Sequence, residues 1–257
     1  MARSLLTHSE ANSVRPREAI ILAGGFGTRL SSLLPDRQKC MAPVGGRPFL
    51  EVLLCWLRSH GIEHVVLATG YLAESVAEYF GDGSKWGLAL DYSVDRPAQG
   101  TAGAVLRAVA CLSGPAFLVL NGDSFTDVAL LDFLDFHARV GSVFSLVAVP
   151  LPEPTDYGSV VFDSTGRVTG FAEKEGTLSK WVNAGVYVVS RGALEAIPAV
   201  RPASLEKEWV PTLVGRGAWV FAFPHNGYFI DFGTPDRFNR LMDDWPQIAA
   251  RIQECLR

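Results

Sequence analysis

The sequence predicts an α/β chain with a mostly parallel central sheet, helices on both of its faces, and a smaller antiparallel segment toward the carboxyl end. Three observations predict it. Short apolar runs of strand type alternate with helix-period segments from Glu18 to Val149, the pattern that crossover connections impose on a parallel sheet. Residues 116–120 are almost wholly apolar, as a strand covered on both faces must be. Beyond Pro150 strand-type runs follow one another through short Gly or Ser turns, an antiparallel texture.

Taken in order, Glu18-Ala19-Ile20-Ile21-Leu22-Ala23 reads as the first strand, and Gly24, Gly25 and Gly27 follow at once. Within 48–60 the apolar residues Phe49, Leu50, Leu53, Leu54 and Leu57 fall at helical spacing, and Gly61 stops that helix. Residues 64–69 read as a strand, 72–80 as a helix, 88–93 as a strand and 101–112 as a helix. After the buried strand at 116–120 come a helix at 128–140 and a strand at 142–149. Strands at 157–163, 167–173 and 181–190 make the antiparallel segment. Residues 205–214 read as a helix, 218–223 as a strand and 235–256 as a terminal helix, in which Pro246 marks a place for a break or kink. There is no repeat and no low-complexity tract.

Composition narrows the function. The chain has 257 residues, 48% apolar and 19% charged, enough for one large domain with a substantial core. A formal charge of -4 argues against a nucleic-acid or membrane-surface partner, so any anion must be met by local cations. Cys40, Cys55, Cys111 and Cys255 are scattered without a C-x-x-C pair, which reads as reduced thiols in a cytoplasmic protein. Residues 1–17 lack a continuous apolar stretch and read as a loose tail; nowhere is there a run of about 18 apolar residues. The five histidines show no metal spacing and no nucleophile partner.

The chemistry starts at the first loop. A strand that ends in Gly24-Gly25-Phe26-Gly27 delivers bare amides in a turn that admits positive φ, a nest for anionic oxygens, and Arg29 adds a fork of donors suited to phosphate. Lys39 brings a second cation from a separate loop. The pattern is not a P-loop, because no Gly-Lys-Ser/Thr frame is present, and Leu30 stands where a dinucleotide fingerprint needs its third glycine. Asp123 and Asp231 each follow an apolar strand at a rim where a hard cation bound to phosphate oxygens would sit, and Mg2+ commonly takes one or two carboxylates plus substrate phosphates. Each aspartate is equally a turn cap on its residues alone.

Gly24-Gly25-Phe26-Gly27-Thr28-Arg29-Leu30 followed by Lys39 resembles the signature of the sugar-1-phosphate nucleotidyltransferases, and the likeness continues through Asp231. Gln38 and Cys40 replace two prolines usual in that family, so a less rigid Lys39 loop is expected. The resemblance implies a Rossmann-like sheet with no appended β-helix domain, and a single nucleotidyltransferase domain at 18–257. In it, 18–150 is the nucleotide-binding half and 151–257 the sugar-phosphate half.

It also implies roles. Arg29 and Lys39 are catalytic, and Ala23, Gly24, Gly25, Gly27 and Thr28 hold the nucleotide together with Asp95, Gly100 and Thr101. Asp95 stands at the position that faces the base, and a carboxylate accepting both N1-H and the exocyclic amine favours guanine, hence GTP. Asp123 and Asp231 hold Mg2+. Tyr157, Gly158, Glu173, Lys174 and Asn183 bind the sugar phosphate, from Phe171-Ala172-Glu173-Lys174 and Asn183-Ala184-Gly185-Val186-Tyr187.

Gly70-Tyr71-Leu72-Ala73-Glu74, Tyr79-Phe80-Gly81-Asp82-Gly83, Ser204-Leu205-Glu206-Lys207-Glu208 and Gly227-Tyr228-Phe229-Ile230-Asp231 look most similar to the D-glycero-α-D-manno-heptose 1-phosphate guanylyltransferases. The implied reaction joins GMP from GTP to that heptose 1-phosphate, giving GDP-heptose and pyrophosphate. Mannose 1-phosphate guanylyl transfer, and uridylyl or thymidylyl transfer to glucose 1-phosphate, stay open. So does a sensor that binds a sugar nucleotide without turning it over, although two metal carboxylates argue against a mere binder. A homo-oligomer is left open.

Overall fold

The computed structural model describes residues 15–25, 28–30, 33–34, 37–152, 157–172, 179–198 and 202–252. Strand β1 (Glu18–Leu22) is followed by a two-residue pair, β2 (Pro43–Val44) and β3 (Arg47–Pro48), then α1 (Phe49–Ser59), β4 (His64–Thr69), α2 (Ala73–Phe80), β5 (Ala89–Val94), α3 (Gly100–Ala108) and β6 (Ala116–Asn121). The chain continues through β7 (Ser124–Thr126), α4 (Leu130–Arg139), β8 (Phe144–Pro150), β9 (Ser159–Phe162), β10 (Val168–Ala172) and β11 (Trp181–Ser190). It ends with α5 (Val210–Gly215), β12 (Val220–Pro224), β13 (Phe229–Asp231) and α6 (Pro235–Arg251).

Nine strands form one sheet in the order β10-β9-β11-β6-β1-β4-β5, with β8 branching from β11 and β12 beside β8. Strands β6, β1, β4 and β5 are mutually parallel, β11 runs against β6 and β8, and β9 pairs antiparallel with β10. The predicted mixed sheet is therefore present, and mostly parallel in strand direction. Alternate residues face opposite layers, as the period of a strand requires. Ala19, Ile21, Val65, Leu67, Leu118 and Leu120 pack toward α1, α2, α4 and α6. Ile20, Val66, Ala68, Phe117 and Val119 pack toward α3 and α5.

Three expectations change. Helix α6 runs through Pro246 to Arg251 rather than breaking there. The segment expected as one helix at 205–214 opens as a π-helical turn, Leu205–Trp209, before α5. Residues 15–17 are held on the fold: Arg15 pairs with Asp135 at 2.6 Å and Arg17 with Glu63 at 2.5 Å. The rest of the expected tail lies outside the described residues.

Candidate active site

The parallel strands place their carboxyl ends on one rim, the position where open α/β sheets collect ligands. Ala23–Gly25 leaves β1, Gly70 leaves β4, Asp95 leaves β5 and Gly122-Asp123 leaves β6. Together they border a cleft of about 340 Å³ whose walls include Gly24, Gly25, Lys39, Asp95, Thr101 and Asp123. The glycine turn differs from expectation in one respect: neither Gly24 nor Gly25 has positive φ. A Cβ on Gly25 would meet nothing within 4 Å, so its bare backbone faces open space. Gly27 lies outside the described residues, and of Thr28 only the backbone, in a 3-10 turn with Arg29 and Leu30, is described.

Lys39 is the centre of the charged cluster. Its Nζ donates to Asp123 Oδ2 at 2.5 Å, lies 4.0 Å from Asp231 Oδ1 and sits 5.2 Å from the centre of the Phe232 ring. Only 11% of the Lys39 side chain is exposed. The two aspartates meet because the short strands β7 and β13 pair, with Asp231 opposite Ser124 and Phe232 N donating to Asp123 O at 3.2 Å. Arg29 reaches the same place from the Gly233 side: a methyl built on Gly233 would lie 3.4 Å from Lys39 Nζ and 3.5 Å from Arg29 Nη2. Arg237 Nη1 stands 3.7 Å from Asp231 Oδ2.

The loop that carries Lys39 is packed rather than loose. Gln38 has φ -68 and ψ 146, the φ that a proline would impose, and is fully buried. Cys40, also buried, donates to Gln38 Oε1 at 3.3 Å. Burial, and behind it the negative charge of Asp123, pushes the Cys40 thiol up to about 12, so it stays a protonated donor.

Asp95 is buried in the loop that follows β5. Its N-H donates to Thr69 O at 2.8 Å, and its Oδ2 accepts from Gln99 N at 2.7 Å. Oδ1 has no hydrogen-bond partner among the described residues; Arg107 Nε lies 3.6 Å away as an ion pair. Gly100 has φ +80, and a Cβ there would fall 2.3 Å from Ala203 O, so glycine is required. That close approach docks the 203–206 segment on the loop through Ala203 N to Gln99 O and Ala102 N to Ala203 O.

Glu206 is the residue that motif reasoning missed. It lines the cleft from the π-helical turn, accepting from Thr101 Oγ1 at 3.2 Å, Ser204 Oγ at 3.0 Å and Tyr187 Oη at 3.2 Å. Tyr187 Oη in turn accepts from Asn183 Nδ2 at 2.6 Å, which ties Asn183 to the cleft. In the sequence, Ser204-Leu205-Glu206-Lys207-Glu208 enters only as part of the resemblance, with no role for Glu206.

In the second half Asn183 N donates to Gly158 O at 2.9 Å, and Tyr157 packs edge-on against Phe229 at 5.7 Å. Glu173 and Lys174 lie outside the described residues. Asp123 and Asp231 fit a divalent metal: two hard carboxylates already share one cation, the ammonium of Lys39. Among the described residues no cluster of three or more His, Cys, Asp or Glu gathers that could hold a metal ion. No helix among them is long and apolar enough to cross a membrane.

The chain is similar to known proteins along most of its length. The family model for nucleotidyl transferase matches residues 18–247. The chain is 36% identical over 225 residues to a mannose-1-phosphate guanylyltransferase of Mycobacterium tuberculosis, across 87% of this chain and 63% of that protein's length. It is 31% identical over 227 residues to a D-glycero-alpha-D-manno-heptose 1-phosphate guanylyltransferase of Aneurinibacillus thermoaerophilus, across 88% of this chain and 97% of that one. The crystal structure of HddC from Yersinia pseudotuberculosis complexed with GMP-PN superimposes with a TM-score of 0.76 at 27% identity, covering 89% of this chain and 99% of HddC.

Proposed function

The chain belongs to the nucleotidyl transferase family, and from that premise we propose that it transfers GMP from GTP to D-glycero-α-D-manno-heptose 1-phosphate, releasing pyrophosphate and leaving GDP-heptose. Two guanylyltransferases among its relatives support the class. The observation that carries it is Lys39, which draws Asp123 and Asp231 to one point beside the glycine turn.

An oxygen of the sugar phosphate is already ionised, so attack on the α-phosphorus needs positioning and charge screening rather than a general base. Arg29 and Lys39 supply fixed cations, and backbone groups at Ala23, Gly24 and Gly25, followed by Gly27 and Thr28, cradle the triphosphate. Asp123 and Asp231 would hold a divalent cation, Mg2+ in this reading, which when bound screens phosphate charge. Asp95, a wall residue of the cleft, would accept from guanine while its Oδ2 keeps the loop closed through Gln99, and Gly100 and Thr101 shape the wall beside it. Tyr157, Gly158, Glu173, Lys174 and Asn183 would hold the sugar phosphate. In this reading 18–150 is the nucleotide half and 151–257 the sugar-phosphate half of one cytoplasmic enzyme.

The mycobacterial relative favours mannose 1-phosphate as a second acceptor reading. Pyrophosphate release measured for four nucleoside triphosphates against heptose, mannose and glucose 1-phosphates, with and without Mg2+, decides. GTP with the heptose phosphate should turn over fastest; turnover with no pair, despite binding, would replace the enzyme by a sensor.

A further inference from the structure

A second cleft, of about 380 Å³, opens on the far side of Asp231 and is bordered by Tyr157, Phe229, Asp231, Arg237 and Arg240. Asp231, on its border, stands 4.0 Å from Lys39, which borders the first cleft. One ligand can therefore occupy each cleft with their reacting groups meeting at the same charges.

The chemistry of the second cleft is that of an anion carried on a polar ring. Arg237 and Arg240 are three residues apart on α6 and so share a face. The Arg237 guanidinium lies 4.4 Å from the centre of the Tyr157 ring, which fixes its plane, as a bidentate contact to phosphate requires. Its contact with Asp231, at 3.7 Å, is an ion pair too long for a hydrogen bond, and a phosphate dianion is the stronger partner for such a fork. Arg240 stands similarly, 3.5 Å from Asp244 Oδ2, with most of its side chain in solvent.

We propose that Arg237, backed by Arg240, contacts the phosphate of the acceptor substrate in this second cleft, so that the acceptor's nucleophilic oxygen is aimed across Asp231 at the nucleotide. Nothing in the sequence motifs assigns either arginine. The inference rests on the sugar 1-phosphate reading above, and two measurements keep their failures apart.

In turnover, Arg237→Gln should raise KM for the sugar 1-phosphate at least tenfold while KM for GTP stays within twofold, and Arg237→Lys, which keeps charge but not the fork, should fall between. A rise confined to GTP, or no change, overturns the proposal. In calorimetry without nucleotide, the unaltered protein should bind α-D-mannose 1-phosphate and, more weakly, inorganic phosphate, and Arg237→Gln should lose both. Equal binding by protein and variant, or binding by neither, overturns it. Should the variant melt early, the exposed Arg240→Gln repeats both measurements, expected in the same direction and smaller. Arginine-dependent phosphate binding in a protein that turns over no substrate pair keeps the subsite and removes the proposed activity.

Discussion

An ammonium that is 11% exposed and 2.5 Å from a carboxylate is held in place by that charge. Asp123→Asn removes it, yet Asp231 at 4.0 Å remains as a counter-charge, so the fold should survive. Turnover should fall on the order of 100-fold or more, because a charged contact is lost from the transition state. A folded Asp123→Asn protein with near-normal turnover would take Asp123 out of the mechanism. Asp95→Asn is a different test. The amide oxygen can still accept from Gln99 N, so the loop should hold, but the other carboxylate oxygen gives way to a donor, which under the proposed reading opposes the guanine N-H groups. The ratio of kcat/KM for GTP to that for ATP should drop at least tenfold, about 1.4 kcal/mol of discrimination. Cys40, held protonated by burial, should resist iodoacetamide at pH 8 while exposed Cys111 is alkylated, as peptide mass mapping would record.

At the scale of elements, the parallel half was readable because its signals are local: apolar runs at period two, helical spacing, and glycines after a strand. Strand β4 and the apolar run of β6 stand where periodicity puts them. The site's geometry was less readable. The β7–β13 ribbon that joins Asp123 to Asp231 is only three residues on each side, too short for any periodicity, and it pairs segments about a hundred residues apart. Residue chemistry pointed at both aspartates; only the pairing shows that they meet. Glu206 was hidden for a similar reason, since its partners Thr101 and Tyr187 come from other elements. The docking that places it rests on Gly100. Gly100→Ala puts an L residue at φ +80 with Cβ against Ala203 O, costing roughly 1–3 kcal/mol from backbone conformation alone. Urea unfolding should show that loss, and weaker nucleotide binding should accompany it because the segment bearing Glu206 is displaced.

Over the whole molecule, β6, β11, β8 and β12 form one hydrogen-bonded continuity, so the two proposed halves share a sheet and should unfold together. His137 sits at that junction. On the buried face of α4, it bonds Ser145 of β8 at 2.8 Å through Nδ1 and lies 3.3 Å from Ser190 Oγ of β11 through Nε2. Burial among these groups lowers its pKa from the ordinary 6.5 to about 4, and burial lowers His225 in the same direction. The folded protein thus keeps His137 neutral where the unfolded chain would protonate it. Stability from this group is full above pH 6.5, declines as the pH falls, and has lost about 3 kcal/mol once the pH passes 4. Lowered carboxylates act in a separate window. Burial alone would raise Glu18, but the N-H groups of Ser113 and Gly114 and the Ser113 hydroxyl outweigh it and hold Glu18 below its ordinary 4.5, so its contribution is lost only under more acid conditions. Between pH 7 and pH 5 the histidines therefore dominate, and His137 should remove roughly 2 kcal/mol over that interval. Urea unfolding at pH 7, 6 and 5 should show that decline as a single transition, and His137→Gln, which can bond Ser145 without titrating, should flatten it. A flat profile in the unaltered protein, or an equal slope in the variant, would mean that protonated His137 is accommodated within the fold.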